Sequence, residues 1–321
     1  MSQPKVLITR RIPQAGLARV QASCEVIQWK SDDPIPRATL LAWLAAGVEG
    51  LYCLITERID AELLDAAGGS LKVVSTMSVG YDHIDVAACR ARNIPIGNTP
   101  GVLTETTAEL AVALLLATAR RLTEATEAVK SGAWSAWKPE WMTGRDVFGS
   151  TVGIVGMGRI GAAFARRLKG FDCRLLYSGP NPKPEYAEPL GAEYVPLATL
   201  LAESDFVAMH CPLNAETKGL VNADFLRQMK PTAMLINTTR GGVVDQDALY
   251  QALRSGQIAA AGLDVTTPEP LPTDHPLLTL PNCVILPHIG SASIATRTQM
   301  ALMAAENVIA GVSGQPLPNA V

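Results

Sequence analysis

The sequence carries no run of basic residues longer than pairs such as Arg10-Arg11, and its formal net charge is −3. It therefore offers no electrostatic footprint for nucleic acid or an anionic membrane. Its longest apolar run, Leu110 to Ala119, is too short for a bilayer, which needs about 20 residues. The opening MSQPKVLITRR lacks the apolar region of a secretory signal, so the chain is expected in the cytoplasm. Six cysteines form no C-x-x-C pair and read as small buried side chains in a reducing compartment rather than disulfides or zinc ligands. The four histidines are scattered, and none belongs to an H-E-x-x-H pattern, so no metal is expected. Internal repeats and low-complexity segments are absent too, which excludes solenoids and compositional linkers.

What is present is length and rhythm. At 321 residues, 48% of them hydrophobic, the chain can fill two cores. Short β-branched runs (KVLIT, CEVIQ, LYCLI, LKVVST, IPIGN) alternate with segments of helical length, the signature of βαβ units and a parallel sheet. Near Thr104 a long apolar helix begins, TETTAELAVALLLATARRL, opened by Thr and Glu and closed by arginines that suit its negative end. A second βα series follows through STVGIVG, CRLLY, DFVAMH, AMLINTT, AAAGLDV and CVILPH. One more helix near residues 292–310 is expected to return to the first domain. The predicted architecture is α/β with two doubly wound domains, residues 1–102 with 290–321 and residues 103–289.

Gly156-Met157-Gly158-Arg159-Ile160-Gly161 stands between a predicted strand and a predicted helix. Gly156 permits a tight turn, Gly158 lets backbone approach a pyrophosphate, and Gly161 lets helix and strand pack closely. Arg159 and Ile160 add first-turn N–H donors at the positive end of the helix dipole. Alone, this pattern also fits an ordinary βα turn; in a βαβ unit it points to a dinucleotide.

Ligands of doubly wound sheets sit beyond the carboxyl ends of the strands. The predicted loops there contain Arg240, Glu269 and His288. A guanidinium grips a carboxylate and a neighbouring carbonyl, an imidazole exchanges a proton near neutrality, and a carboxylate on its second nitrogen holds the tautomer. Singly, these read equally well as a surface ion pair, a solvated acid and a satisfied histidine; together they suit reduction of a 2-keto acid. Pro212, Thr238, Thr239, Asp264 and Gly290 stand in the same loops and are candidate cofactor contacts, as is Thr107 early in the long helix, where capping is the competing reading. His210 lies at another strand end, whereas His83 and His275 read as turn and loop residues.

These residues closely resemble the D-isomer-specific 2-hydroxyacid dehydrogenase family over essentially the whole chain, through STMSVGYDHID, TAELAVALLLA, GIVGMGRIG, INTTRGGVVDQDAL, AAGLDVTTPEP and ILPHIGSA. Within it, TRRIP, WSAWKPEWMTG and EPLPTDHPLLTLPNCVILPHIGSA are most similar to members that reduce glyoxylate and hydroxypyruvate to D-2-hydroxy acids. The resemblance implies a Rossmann-type dinucleotide domain, a flavodoxin-like substrate domain and a homodimer. It further implies Arg240 as carboxylate and carbonyl binder, His288 as acid/base, Glu269 as its partner, and backbone N–H groups at Val79 and Gly80 for the substrate carboxylate.

NAD-binding folds place an acid on the ribose 2′-hydroxyl at the end of the second strand, here near Tyr177. This chain has Ser178, Gly179, Pro180 and Asn181 instead, with Lys183 nearby. No carboxylate repels a 2′-phosphate, and Ser178, Asn181 and Lys183 can bind one, so NADP(H) is expected over NAD(H). A proline-stiffened loop is the plain alternative, and the arginine that NADP-using members often show near Pro180 is missing. Three of the five tryptophans, Trp134, Trp137 and Trp141, cluster in GAWSAWKPEWMTGRDVFG. They are expected to be buried in a dimer arm, from which Trp141 would limit substrate size as a substrate-binding residue. The rival readings are a dinucleotide-sensing corepressor of the same fold, a dinucleotide-dependent hydrolase, another 2-hydroxyacid specificity, and formate or phosphite oxidation; the first lacks an added interaction segment, and the second fits poorly with Arg240, Glu269 and His288.

Overall fold

The computed structural model describes residues 3–321 and divides them into two compact units, one ending at Leu103 and resuming over Ser291–Val321, the other spanning Thr104–Gly290. No helix among the described residues is long and apolar enough to cross a membrane.

The first unit is built on five parallel strands: β1 (Lys5–Ile8), β2 (Glu25–Gln28), β3 (Gly50–Cys53), β4 (Val73–Thr76) and β5 (Ile96–Gly97), in the order β2-β1-β3-β4-β5. This is the flavodoxin-like order. Residues of β3 and β4 are buried throughout, as expected of parallel strands covered on both faces, whereas β2 at the edge is only half-buried. Leu40, Leu44, Leu63 and Leu64 cover one face, and Val20, Met300, Ala304 and Val308 cover the other. Two polar groups inside this second layer are satisfied by the helix Ile294–Val312: Tyr52 Oη donates to Ala301 O (3.1 Å) and Ser75 Oγ to Ala304 O (2.8 Å). The late helix is thereby fixed on the first sheet.

The second unit holds seven parallel strands: β6 (Thr151–Val155), β7 (Arg174–Ser178), β8 (Glu193–Tyr194), β9 (Phe206–Met209), β10 (Met234–Asn237), β11 (Ala260–Leu263) and β12 (Cys283–Ile285). Their order, β12-β11-β10-β9-β6-β7-β8, is that of a Rossmann sheet with one further strand, and the winding reverses between β6 and β9. The helices Thr104–Ala119 and Arg159–Leu168 cover one face through Leu114, Leu115 and Phe164; Leu200, Phe225, Leu249 and Leu253 cover the other. Ion pairs from Glu105 and Glu109 to Arg166 and Arg167 join the two helices along their exposed edges.

One sequence expectation is corrected. The long helix ends at Ala119, before its arginines; Arg121 adopts a left-handed conformation (φ 54°) and bonds to Glu124, opening the next helix instead of neutralising the last turn. The tryptophan cluster, expected to be buried only in a dimer arm, is uncovered within its own unit, where every residue of 131–140 is exposed. Trp134 is 58% exposed and Trp137 83% exposed. All six cysteines are free thiols.

Candidate active site

The glycine-rich turn stands at the winding reversal of the second sheet. Gly156 (φ 102°) would bring a β-carbon within 2.7 Å of Cys211 N, so the turn from β6 passes beside β9 only with glycine there. A β-carbon at Gly161 would collide with the Gly156 carbonyl. Gly158 differs: no protein atom lies within 4 Å of a β-carbon built there, so the glycine keeps open a space that the protein itself does not use. The first intrahelical bond runs from Ala162 N to Gly158 O (2.9 Å), which leaves the N–H groups of Arg159, Ile160 and Gly161 ahead of it at the positive end of the helix.

Around this cradle lie buried polar atoms without partners among the described residues: both ring nitrogens of His210, just after β9, and Thr238 Oγ1, just after β10. An orphaned buried polar atom is costly unless a ligand or water completes it. His210 stacks on Phe164 (4.8 Å between ring centres), and burial pushes its pKa down to about 4, so it is neutral at pH 7. The open glycine, the free helix start and these orphans fit a dinucleotide.

β7 ends at Ser178, which is buried; Gly156 N donates to its carbonyl (2.9 Å). Tyr177 Oη accepts from Lys183 N (3.0 Å) and Tyr194 Oη donates to Gly179 O (2.9 Å), folding the following loop back on the sheet edge. Asn181 and Lys183 are exposed there, as is Pro212 after β9, and no acid occupies the strand end.

The loops after β10, β11 and β12 carry the other candidates. Asn237 organises the first: its Oδ1 accepts from Thr239 N (3.0 Å) and Oγ1 (2.8 Å), and its Nδ2 donates to Arg240 O (3.0 Å). Arg240 Nη1 donates to Thr239 O (3.0 Å). Glu269 Oε1 accepts from Thr266 N (2.9 Å), while Oε2 lies 2.9 Å from His288 Nδ1. Burial alone would raise the Glu269 carboxyl, but the His288 hydrogen bond and charge, the Thr266 N–H and the nearby Arg240 outweigh it and hold the pKa below the ordinary glutamate value. The three candidates are therefore close enough to feel one another, and the Nε2 side of His288 is left for chemistry.

Asp264 has a role that motif reading missed. It is fully buried, and its two carboxylate oxygens accept from Ile289 N and Gly290 N, each at 2.8 Å, while its carbonyl accepts from His288 N (2.9 Å). One residue thus fixes three successive amides and holds His288 in a left-handed conformation (φ 55°). Burial raises the Asp264 pKa, against the opposing pull of those amides and His288. Thr107, one turn inside its helix and not at its start, lines the same corner: a β-carbon at Gly290 would lie 3.1 Å from Asp264 Oδ2 and 3.5 Å from Thr107 Cγ2. His275 caps a short turn by accepting from Leu277 N (3.2 Å), and His83 Nε2 lies 3.1 Å from Thr76 Oγ1. Val79 and Gly80 follow β4 in the first unit, and Trp141 lies in the exposed segment with Lys138 over its ring.

A family model described as D-isomer specific 2-hydroxyacid dehydrogenase, NAD binding domain, matches residues 112–290. The chain is 58% identical over 319 residues to a glyoxylate reductase/hydroxypyruvate reductase from Homo sapiens, covering 98% of this chain and 97% of the other. A crystal structure of a protein from Thermus thermophilus superposes with a TM-score of 0.91 at 47% identity, covering 99% of both chains. An NADPH-dependent glyoxylate/hydroxypyruvate reductase from Sinorhizobium meliloti, solved with NADP and malonate, superposes with a TM-score of 0.85 at 36% identity, covering 100% of this chain and 97% of the other.

Proposed function

The chain belongs to the D-isomer-specific 2-hydroxyacid dehydrogenase family, and we propose that it reduces glyoxylate to glycolate and hydroxypyruvate to its D-2-hydroxy acid, with NADPH preferred over NADH. The observation that carries this reading is the His288 Nδ1 to Glu269 Oε2 contact of 2.9 Å in the loops that also hold Arg240. The reduced dinucleotide, when bound, supplies a hydride to the keto carbon. His288 Nε2 gives a proton to the carbonyl oxygen, so that the carbonyl group gains one hydride and one proton and becomes an alcohol. Glu269 keeps the proton of Nδ1 on the far side of the ring and steadies the imidazolium. Arg240 binds the carboxylate and the carbonyl oxygen in its fork and keeps the acid from turning. The N–H groups of Val79 and Gly80 hold the carboxylate as well. Gly158 and the N–H groups of Arg159, Ile160 and Gly161 would hold the pyrophosphate, and Ser178, Asn181 and Lys183 would hold the 2′-phosphate. Thr107, Pro212, Thr238, Thr239, Asp264 and Gly290 border the rest of the cofactor. The exposed apolar arm around Trp134 and Trp137 supports a homodimer, with Trp141 restricting the size of the acid.

Steady-state kinetics with glyoxylate, hydroxypyruvate, pyruvate and a bulkier 2-keto acid, each with NADPH and NADH, tests this. The two small acids with NADPH should give the highest kcat/KM. Faster turnover of the bulkier acid, or equal or better use of NADH, would overturn the corresponding part of the reading.

A further inference from the structure

The loop after β4 is shaped by a group that no motif marks. Ser78 O accepts from Thr99 N (2.9 Å), and Val79 O accepts from Asn98 Nδ2 (2.9 Å). Both carbonyls therefore face the segment that follows β5. In a planar trans peptide the N–H points opposite to the C=O. The amides that share those two peptide planes are those of Val79 and Gly80, so both point away from residues 98–99. Neither donates to any described residue. Gly80 O is occupied as well, by Ser78 Oγ at 2.6 Å, and Ser78 Oγ is held by Thr76 Oγ1 at 2.8 Å.

Asn98 is itself clamped. Its carbonyl accepts from Asn307 Nδ2 (2.8 Å), its N–H donates to Asn319 O (3.1 Å), and Asn307 Oδ1 accepts from Asn319 N (3.0 Å). Asn307 is fully buried. It reaches Asn98 because a β-carbon on Gly97 would lie 2.7 Å from its Cβ and Cγ, so any other residue at 97 would push the amide away. Three asparagines from the end of β5, the late helix and the segment beyond it thus form one chain of hydrogen bonds that ends on the Val79 carbonyl. Buried side-chain networks of this kind specify a single geometry only when every member is satisfied.

We infer that Asn98, held by Asn307 and Asn319, is a positioning residue for the substrate carboxylate: it does not touch the acid but sets the direction of the peptide N–H of Gly80. This rests on the proposed assignment of Val79 and Gly80 to carboxylate binding. Asn98→Leu keeps the size of the side chain and removes the donor. The KM for glyoxylate should rise about 10- to 100-fold, the span of one hydrogen bond to a charged group, with a much smaller change in kcat and dinucleotide affinity within about twofold. Asn98→Gln, which retains a carboxamide, should recover part of the loss. A folded Asn98→Leu protein with unchanged KM, or one that loses dinucleotide affinity in parallel, overturns the inference. Should the leucine variant fail to fold, Asn98→Asp carries the same test by placing an acceptor against the Val79 carbonyl. If the unmodified protein turns over no 2-keto acid, the functional reading fails by itself. The peptide orientation is then read from the backbone amide resonances of Val79 and Gly80, which must move in the Asn98 variant if Asn98 holds them and stay put if it does not.

Discussion

In the proposed reaction the carboxylate on His288 Nδ1 orients a proton donor, and both halves of that proposal can be separated by substitution. His288→Ala should lower turnover roughly 10²- to 10⁴-fold, the usual worth of a positioned acid, while dinucleotide binding followed by titration is retained. Glu269→Gln removes the charge that favours the imidazolium, so the acidic limb of the pH profile for 2-hydroxy acid oxidation should move to lower pH. An unmoved limb would leave Glu269 as a loop anchor for Thr266. Glu269 itself is held below the ordinary glutamate value. A lowered carboxylate contributes fully above the ordinary glutamate range, and its hold on the loop is lost only as pH falls below it. At this scale the sequence was legible where residue type suggests chemistry: Glu269 and His288, paired from their types, lie in hydrogen-bond contact, with Arg240 near. It was silent where a side chain acts on backbone. Asp264 reads as one more strand-end acid until its oxygens are found on Ile289 N and Gly290 N, and Asn98 and Asn307 stand 209 positions apart with no spacing to link them.

The elements were read most easily where a parallel strand is buried on both faces and so shows an unbroken apolar run, as in β3, β4, β9 and β10. The exception is β8, two exposed residues, Glu193 and Tyr194, whose composition resembles a loop because an edge strand has only one neighbour to satisfy. Helix ends were harder: Arg120 and Arg121 look like a positive cap, yet the chain turns before them. On the proposed binding of a 2′-phosphate at the end of β7, cofactor choice is a property of one element, and Ser178 is its last residue. Ser178→Asp should therefore lower kcat/KM for NADPH at least about tenfold and reverse the order of the two cofactors, since like charges brought together in a binding site cost several kcal/mol. A variant that still favours NADPH would place the phosphate elsewhere than at this strand end.

Over the whole molecule, each sheet was foreseeable from the βα rhythm, because a sheet with helices on both faces needs that alternation. The tryptophan cluster reads in sequence as an arm that one chain leaves uncovered, and Trp134 and Trp137 are exposed in the single chain. If the arm is a subunit contact, sedimentation should give a dimer, and Trp141→Ala should raise activity on bulkier keto acids relative to hydroxypyruvate. An unchanged ratio would confine Trp141 to assembly. The arm also gives the protein a built-in optical reporter. Trp29 and Trp43 lie edge to face in the first unit, their ring centres 5.9 Å apart, and the other three of the five indoles lie in the arm. An isolated chain should therefore emit at the long wavelengths of water-exposed indole. Its spectrum should move to the blue as concentration rises, so that a simple dilution series read in a fluorimeter would measure self-association without a label.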